Sequence, residues 1–218
     1  MKSIKKSRTR NNFRKRNFLV SHIQNNLIDY LIVSIIFIIG ILIGIVFINN
    51  LSNGKFQETT DYINSFVSSL KNKNNIEETQ VLQKSISNNL FIGILLWIFG
   101  STIIGLIAVY FIIGFKGFCL GYTISALIVG LGTKNGIIFA TTTMLLQNII
   151  AIPCFVAIGV SGTRLYKAIM QDKRIVNIKL EIIRHTIFSL FIFVLLIFSS
   201  ILEAYISKNL LIYFIRYV

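Results

Sequence analysis

Residues 30–48 read YLIVSIIFIIGILIGIVFI, nineteen residues without a charged side chain. A helix needs about twenty apolar residues to cross the hydrocarbon core of a bilayer. Asp29 precedes this stretch, and Asn49 and Asn50 follow it. The stretch is longer than the apolar region of a usual secretory signal peptide, and no small-x-small cleavage site follows it. We therefore expect it to remain in the protein as a membrane-spanning helix.

Further apolar runs continue this pattern along the chain, at residues 90–115, 117–132, 136–162 and 186–207. The apolar tail, residues 208–218, is too short to cross a membrane. The sequence therefore predicts an all-α polytopic integral membrane protein with about five transmembrane helices. The run at 117–132 is short and rich in glycine, which leaves a re-entrant segment as the alternative to a full span.

The composition agrees with this class of protein. Of the 218 residues, 54% are hydrophobic and 14% are charged, and the mean hydropathy is +0.73. Soluble domains average about a quarter charged residues, and disordered chains need many charges and few apolar residues. Both classes are excluded. We divide the chain into a basic N-terminus, residues 1–28, and a single membrane domain, residues 29–218.

The basic residues predict the orientation. The chain carries 22 Lys and Arg against 8 Asp and Glu, and most of them lie between the apolar runs. We interpret them as residues that set topology and attract anionic lipid headgroups, not as a nucleic-acid site. Five spans with a cytoplasmic N-terminus place 15 of them inside and 7 outside, whereas a re-entrant 117–132 gives 12 and 10. The prediction is therefore a cytoplasmic N-terminus, a cytoplasmic loop at 163–185 and an external C-terminus.

The one large loop, residues 49–89, is predicted to form an external helical hairpin. Phe56, Ile63, Phe66 and Leu70 recur in it at helical spacing. We take these four residues as candidate contacts with a partner protein. The alternative is that the hairpin only covers the ends of the membrane helices.

Three polar side chains inside the apolar runs are candidate functional residues. Glu203 lies near the end of the last run, and Gln147 and Asn148 lie near the middle of the fourth. Ionisable groups at this depth are costly and usually face a protein interior or a wet cavity. Glu203 is close enough to the end of its run to reach headgroup water, so we interpret it as a structural or interfacial group, with a proton or ion carrier as the alternative. The two amides favour helix packing over a substrate path, because they can bond carbonyls freed by Pro153 or a neighbouring helix.

Small residues predict close helix packing. Gly40 and Gly44 are four residues apart, as are Gly117 and Gly121. This spacing lets helix backbones approach closely. We assign these four glycines, together with Pro153, to helix packing.

Patterns of catalysis are absent from the sequence. It contains no G-x-x-x-x-G-K-[ST], no G-x-S-x-G and no H-E-x-x-H motif. His22 and His185 lie far apart in basic juxtamembrane stretches, where we expect interfacial positions. We therefore predict a protein that is not an enzyme, with no catalytic residues, no metal and no cofactor.

The order of these features resembles the stage II sporulation protein M family. The likeness is carried by the basic start, GILIGIVFINN (40–50), LWIFG (96–100), FKGFCLGYT (115–123), Gln147-Asn148 with Pro153, and LEAY (202–205). Members of the wider superfamily that look like transporter subunits often carry His-Gly and Glu where this chain has Gln147-Asn148. That departure favours the sporulation branch.

The resemblance implies a multi-pass protein of the mother-cell membrane at the sporulation septum. It implies a non-catalytic scaffold for peptidoglycan remodelling, which recruits and anchors the hydrolases called stage II sporulation proteins D and P. Engulfment of the forespore by the mother-cell membrane would depend on that recruitment. The alternative is a membrane component of a transporter with a separate ATPase docked on the loop 163–185. The oligomeric state is left open.

Overall fold

The structure is a computed structural model that describes residue 24 and residues 26–72, 78–102, 105–170 and 177–207. Within these ranges, seven α-helices and two π-helical segments have defined bounds, and no strand occurs there. In chain order they are α1 (Leu27–Asn49), α2 (Asn53–Asn72), α3 (Glu78–Gly100), α4 (Gly105–Leu131), α5 (Thr133–Ala140), a first π-helical segment (Thr141–Leu145), α6 (Leu146–Met170), α7 (Ile178–Leu202) and a second π-helical segment (Glu203–Ser207).

Five of the described helices are long and apolar enough to cross a membrane, which confirms the predicted all-α polytopic fold. The candidate spans are Leu27–Asn49, Thr79–Gly100, Gly105–Leu131, Asn148–Met170 and Ile178–Tyr205. They belong to α1, α3, α4, α6 and α7. The basic N-terminus 1–28 and the tail 208–218 lie almost wholly outside the described residues.

The sequence analysis separates the runs 90–115 and 117–132 at Lys116, and this predicted break is wrong. Helix α4 continues through Lys116 without interruption, and the chain leaves the helix after Gly100 instead. There the hydroxyls of Ser101 and Thr102 donate to backbone carbonyls of the last turn of α3, at 2.8 and 2.9 Å. They satisfy carbonyls that a helix end leaves open, whereas a lone lysine removes no backbone hydrogen bond. The run at 117–132 is therefore the second half of a long helix, and the predicted spans 90–115 and 117–132 are corrected accordingly.

The predicted span 136–162 is also displaced. It begins as the short helix α5, passes through the first π-helical segment and continues in α6, whose apolar stretch is Asn148–Met170. Gly132 turns the chain between α4 and α5 with a φ of 79°, a conformation that favours glycine. A Cβ on Gly136 would lie 2.5 Å from the Cα of Ile128. Helix α5 therefore folds back tightly onto the end of α4, which moves the span toward the C-terminus and places the start of the predicted loop 163–185 inside α6.

The predicted hairpin at 49–89 contains α2 and the first turns of α3. Helix α2 is a separate element, whereas the second helical segment is continuous with a membrane span. Ile63 and Val67 of α2 are buried against the last turns of α4. Helix α2 is thus anchored to the bundle by one apolar face.

The five long helices share one core. It includes Val33, Leu96, Val109, Ile158 and Leu196, one residue from each of these helices. Helix α6 is the most enclosed of the five, with 67% of its most apolar stretch buried. It is therefore the central helix of the bundle.

The bundle has two distinct ends. At one end, the Lys167 Nζ lies 2.6 Å from the Asp29 Oδ1, which joins the end of α6 to the start of α1. We call this the basic end, because Arg164 and Arg184 also lie there. The opposite end carries α2, α5 and Glu203, and we call it the α2 end. In the predicted orientation, the basic end faces the cytoplasm.

Candidate functional site

A polar cavity opens into the bundle at the α2 end. Its volume is about 980 Å³, and residues of α3, α4, α6 and the two π-helical segments line it. The charged and polar side chains among them include Lys84, Ser85, Asn88, Lys116, Asn148 and Glu203. The structure therefore brings together Asn148 and Glu203, two of the three polar residues that the sequence singled out.

Glu203 is bonded to α3 within this cavity. The Ser85 hydroxyl donates to the Glu203 Oε2, and Ser85 is itself buried. Glu203 directly follows Leu202, the last residue of α7, and begins the second π-helical segment. Its carboxylate therefore helps hold the end of α7 against the first half of α3.

Asn89 extends this contact one turn deeper. Its Nδ2 donates to the Ser200 Oγ at 2.9 Å, which joins α3 to α7 a second time. Only 1% of Asn89 is exposed, and its Oδ1 has no hydrogen-bond partner among the described atoms. A buried acceptor left without a donor costs about 1–3 kcal/mol. The α3–α7 contact therefore keeps one buried amide oxygen without a described donor.

Lys116 is a site residue that the sequence does not predict, because a charge between two apolar runs is typical of a loop. It lies near the middle of α4, lines the cavity and interacts electrostatically with Glu203. Its Nζ is 5.8 Å from the centroid of the Phe155 ring on α6, within cation–π range. One charge inside a long apolar run was the available signal, since intramembrane ionisable residues are functional candidates by default.

The two amides of the fourth run occupy the first turn of α6. The Asn148 Nδ2 donates to the Met144 carbonyl at 2.8 Å, so it bonds its own chain one turn earlier, in the first π-helical segment. The side chain of Gln147 lies outside the described part of the structure. Pro153 lies inside α6 and lines a second, apolar cavity beside Asn148.

The structure places the four predicted packing glycines in the α1–α4 interface. A Cβ on Gly40 would lie 2.1 Å from the Gly114 carbonyl oxygen, and one on Gly44 would lie 2.3 Å from that of Phe118. On α4, a Cβ on Gly117 or Gly121 would meet α1 carbonyl oxygens at 2.3 or 2.2 Å. The contacts pair rising residue numbers on both helices, so α1 and α4 run in the same direction with their backbones in contact.

The candidate partner contacts divide between two faces of α2. Phe56 and Phe66 are 41% and 42% exposed. Ile63 is 7% exposed and packs against Gly130 of α4, so it is an anchor of α2 and the prediction of a partner contact there is wrong. The side chain of Leu70 lies outside the described residues.

A second polar cluster, not foreseen in the sequence, lies at the basic end. His185 is 2% exposed, so the expected interfacial position is wrong for it, whereas His22 lies outside the described residues. The His185 Nδ1 is 2.8 Å from the Ser161 Oγ, and the His185 Nε2 is 3.4 Å from the Trp97 carbonyl oxygen. Gly100 and Gly162 approach closely beside the ring and make room for it. In the part of the chain that the structure describes, no group of three His, Cys, Asp or Glu side chains could hold a metal ion.

Comparison with known families identifies the chain's relatives. The model of the stage II sporulation protein M family matches residues 33–208, which extend from α1 to one residue beyond the second π-helical segment. The chain belongs to this family. Family membership makes it a sporulation-related membrane protein, and the five candidate spans make it a multi-pass one. No individual curated protein and no solved structure matches the chain.

Proposed function

We propose that this member of the stage II sporulation protein M family is a non-catalytic scaffold of the engulfment machinery. It recruits and anchors peptidoglycan hydrolases, stage II sporulation proteins D and P, in the mother-cell membrane at the septum. The family match carries this proposal, because it covers all five spans at least in part and the whole of α2. The compact bundle supports it, since a scaffold needs a fixed surface on which partners can assemble.

Helix α2 is the surface that we assign to the hydrolases. Ile63 and Val67 fix one face of it to α4, which leaves Phe56, Tyr62 and Phe66 exposed. Exposed aromatic side chains on a rigid support are typical of the residues that contribute most to protein–protein interfaces. In the predicted orientation this surface lies outside the membrane, on the side of the cell wall.

The first experiment is a clean deletion in the source organism, with membrane-dye imaging during starvation. The expected result is a polar septum whose mother-cell membrane fails to move around the forespore. Normal engulfment in the deletion strain would refute the proposed scaffold role.

The second experiment tests the surface. Fluorescent stage II sporulation proteins D and P should lose their septal position in the Phe56→Ala/Phe66→Ala double variant. The matched control is Phe111→Ala/Phe115→Ala, which removes two exposed phenyl groups from α4. Immunoblots of membranes check that each variant accumulates. Recruitment that survives the α2 changes, or is lost equally in the control, places the interface elsewhere.

The polar cavity favours a second candidate function, a membrane component of a transporter. The discriminating variant is Glu203→Gln, which keeps hydrogen-bonding capacity toward Ser85 and removes the charge. A scaffold should support normal engulfment with this change. Arrested engulfment with correctly placed hydrolases and normal protein levels would favour the transporter.

A further inference from the structure

The polar cavity shares part of its lining with a second cavity. A second cavity of about 470 Å³ adjoins it, and Leu120, Met144 and Asn148 line both. This second cavity is lined almost wholly by apolar side chains from α4, α5 and α6, including Ile124, Ile137, Ile149, Ile152 and Pro153. We call these two cavities the polar chamber and the apolar groove, and they meet at the three residues that line both.

The polar chamber favours a negatively charged group. Lys84 and Lys116 line it together with one carboxylate, that of Glu203. Among the described side chains that line the cavity, two ammonium groups face one carboxylate, which leaves a net charge of +1. Amide and hydroxyl side chains also line the cavity, beside apolar ones, and they can donate to several oxygen atoms at once.

Asn148 stands where the two cavities meet. Its Nδ2 donates one hydrogen bond, to the Met144 carbonyl. A primary amide has two N–H groups and a carbonyl oxygen, so Asn148 retains capacity for a group at the polar–apolar boundary. In a glycerophospholipid, the ester groups lie at that boundary, between the phosphate and the acyl chains.

We propose that the two cavities together form a binding site for one anionic phospholipid. The phosphate lies between Lys84 and Lys116, the glycerol esters lie at Asn148, and one acyl chain follows the groove past Ile124 and Ile152. The charge of the chamber selects an anionic headgroup, and the groove selects an acyl chain over a free phosphate ester. The protein would thereby hold a structural lipid at its α2 end, independently of whether hydrolases dock on α2.

Native mass spectrometry of the purified full-length protein tests the headgroup. The probes are phosphatidylglycerol and phosphatidylcholine with identical acyl chains. We expect phosphatidylglycerol to bind more tightly, and Lys116→Met to weaken it about tenfold, the change expected when one charge-assisted hydrogen bond is lost, equivalent to about 1.4 kcal/mol. Lys116→Arg should retain binding. Lys134→Met is the matched control, because Lys134 lies on α5 at the same end and lines neither cavity.

The groove is tested separately. Thr141 lines it and is exposed, so Thr141→Trp fills the groove without entering the core. This change should weaken phosphatidylglycerol binding several-fold, whereas Ile138→Trp, on the exposed surface of α5, should leave it unchanged. Soluble glycerol phosphate at millimolar concentration should fail to displace the lipid, since it lacks the acyl chain.

Three outcomes would overturn the proposal. Equal binding of the two phospholipids would show that the site does not prefer an anionic headgroup. Unchanged phosphatidylglycerol binding in Lys116→Met would show that the headgroup does not bind in the polar chamber. Displacement of the lipid by glycerol phosphate, together with no effect of Thr141→Trp, would indicate a site for free phosphate. Gel filtration checks folding, and if Lys116→Met fails to fold, Lys84→Met carries the same test because Lys84 is exposed.

Discussion

The α1–α4 interface and the α3–α7 interface join membrane helices by different means. Between α1 and α4 the backbones touch, because Gly40, Gly44, Gly117 and Gly121 leave no room for a side chain. Between α3 and α7 the contact is made by polar side chains, and the Asn89 Nδ2 donates to the Ser200 Oγ at 2.9 Å. Lipid chains are as apolar as leucine, so close packing and interhelical hydrogen bonds are the two main ways to hold such helices together.

The two interfaces differ in whether they contribute polar side chains to the cavity. The glycine contact depends on close approach of the two backbones, and its glycines bring no polar side chain to it. The polar contact borders the cavity at Glu203 and leaves the Asn89 Oδ1 without a described partner. We therefore expect the α1–α4 pair to fix the fold and the α3–α7 pair to carry the adjustable, ligand-accessible region.

The largest expected effect is on the glycine interface. A Gly40→Ala change places a Cβ 2.1 Å from the Gly114 carbonyl oxygen, so the helices must separate. We expect a loss of ~3 kcal/mol in the free energy of unfolding, the upper range for an overpacked site. Denaturant titration in mixed micelles measures it. The control is Gly54→Ala on α2, where a Cβ meets nothing within 4 Å and the helix gains about 0.5–1 kcal/mol. Equal effects at the two positions would show that backbone contact is not what matters.

The next effect is on the polar interface. Ser85→Ala leaves the Glu203 carboxylate without its donor from α3. We expect a loss of ~2 kcal/mol, because an acceptor that stays enclosed without its partner retains its desolvation cost. Ser87→Ala is the matched control, since Ser87 lines the same cavity but is exposed. If both serines prove neutral, water in the cavity replaces the hydroxyl, and the α3–α7 pair does not depend on this bond.

The two interfaces also differ in how much the sequence revealed. Glycine spacing is local, so Gly40 and Gly44 could be assigned to packing from one helix alone. Ser85 and Glu203 are 118 residues apart, and no local pattern indicates that they meet. The number of spans followed from the length of the apolar runs, because the bilayer thickness sets that length.

The errors in the prediction have a common physical cause. The prediction places a helix boundary at the charge of Lys116, although a lysine side chain leaves the backbone hydrogen bonds intact. The true boundary lies at Ser101 and Thr102, whose hydroxyls compete for the carbonyls of the preceding turn. His185 was misplaced for a related reason, since a basic neighbourhood in sequence does not show which face of a helix is buried.

A smaller effect is expected at the basic end, where a polar side-chain contact joins α6 and α7. Ser161→Ala removes the hydroxyl that lies 2.8 Å from the His185 Nδ1. We expect a loss of ~1 kcal/mol, the net value of one neutral hydrogen bond. The control is Ser189→Ala, because the Ser189 Oγ is buried and has no partner among the described atoms. Its removal should be neutral or stabilising, and a loss as large as that of Ser161→Ala would mean that volume rather than hydrogen bonding sets the cost.

The smallest effect should come from an ion pair whose arginine is exposed to solvent. The Arg184 Nη1 lies 2.5 Å from the Glu181 Oε1 on α7, where the arginine side chain is 57% exposed and the glutamate side chain 12%, and Arg164 also approaches Glu181 at 3.6 Å. Removing this arginine should cost only ~0.4 kcal/mol, because an exposed arginine is already solvated by water and Glu181 keeps Arg164 as a second partner. Unfolding of Arg184→Ala at low salt and at about 1 M salt measures it, and the difference from the unmodified protein should vanish at high salt. A salt-independent loss as large as that of Ser85→Ala would mean that this contact is shielded from water, and the distinction between the membrane-embedded polar interface and the solvated end would fail.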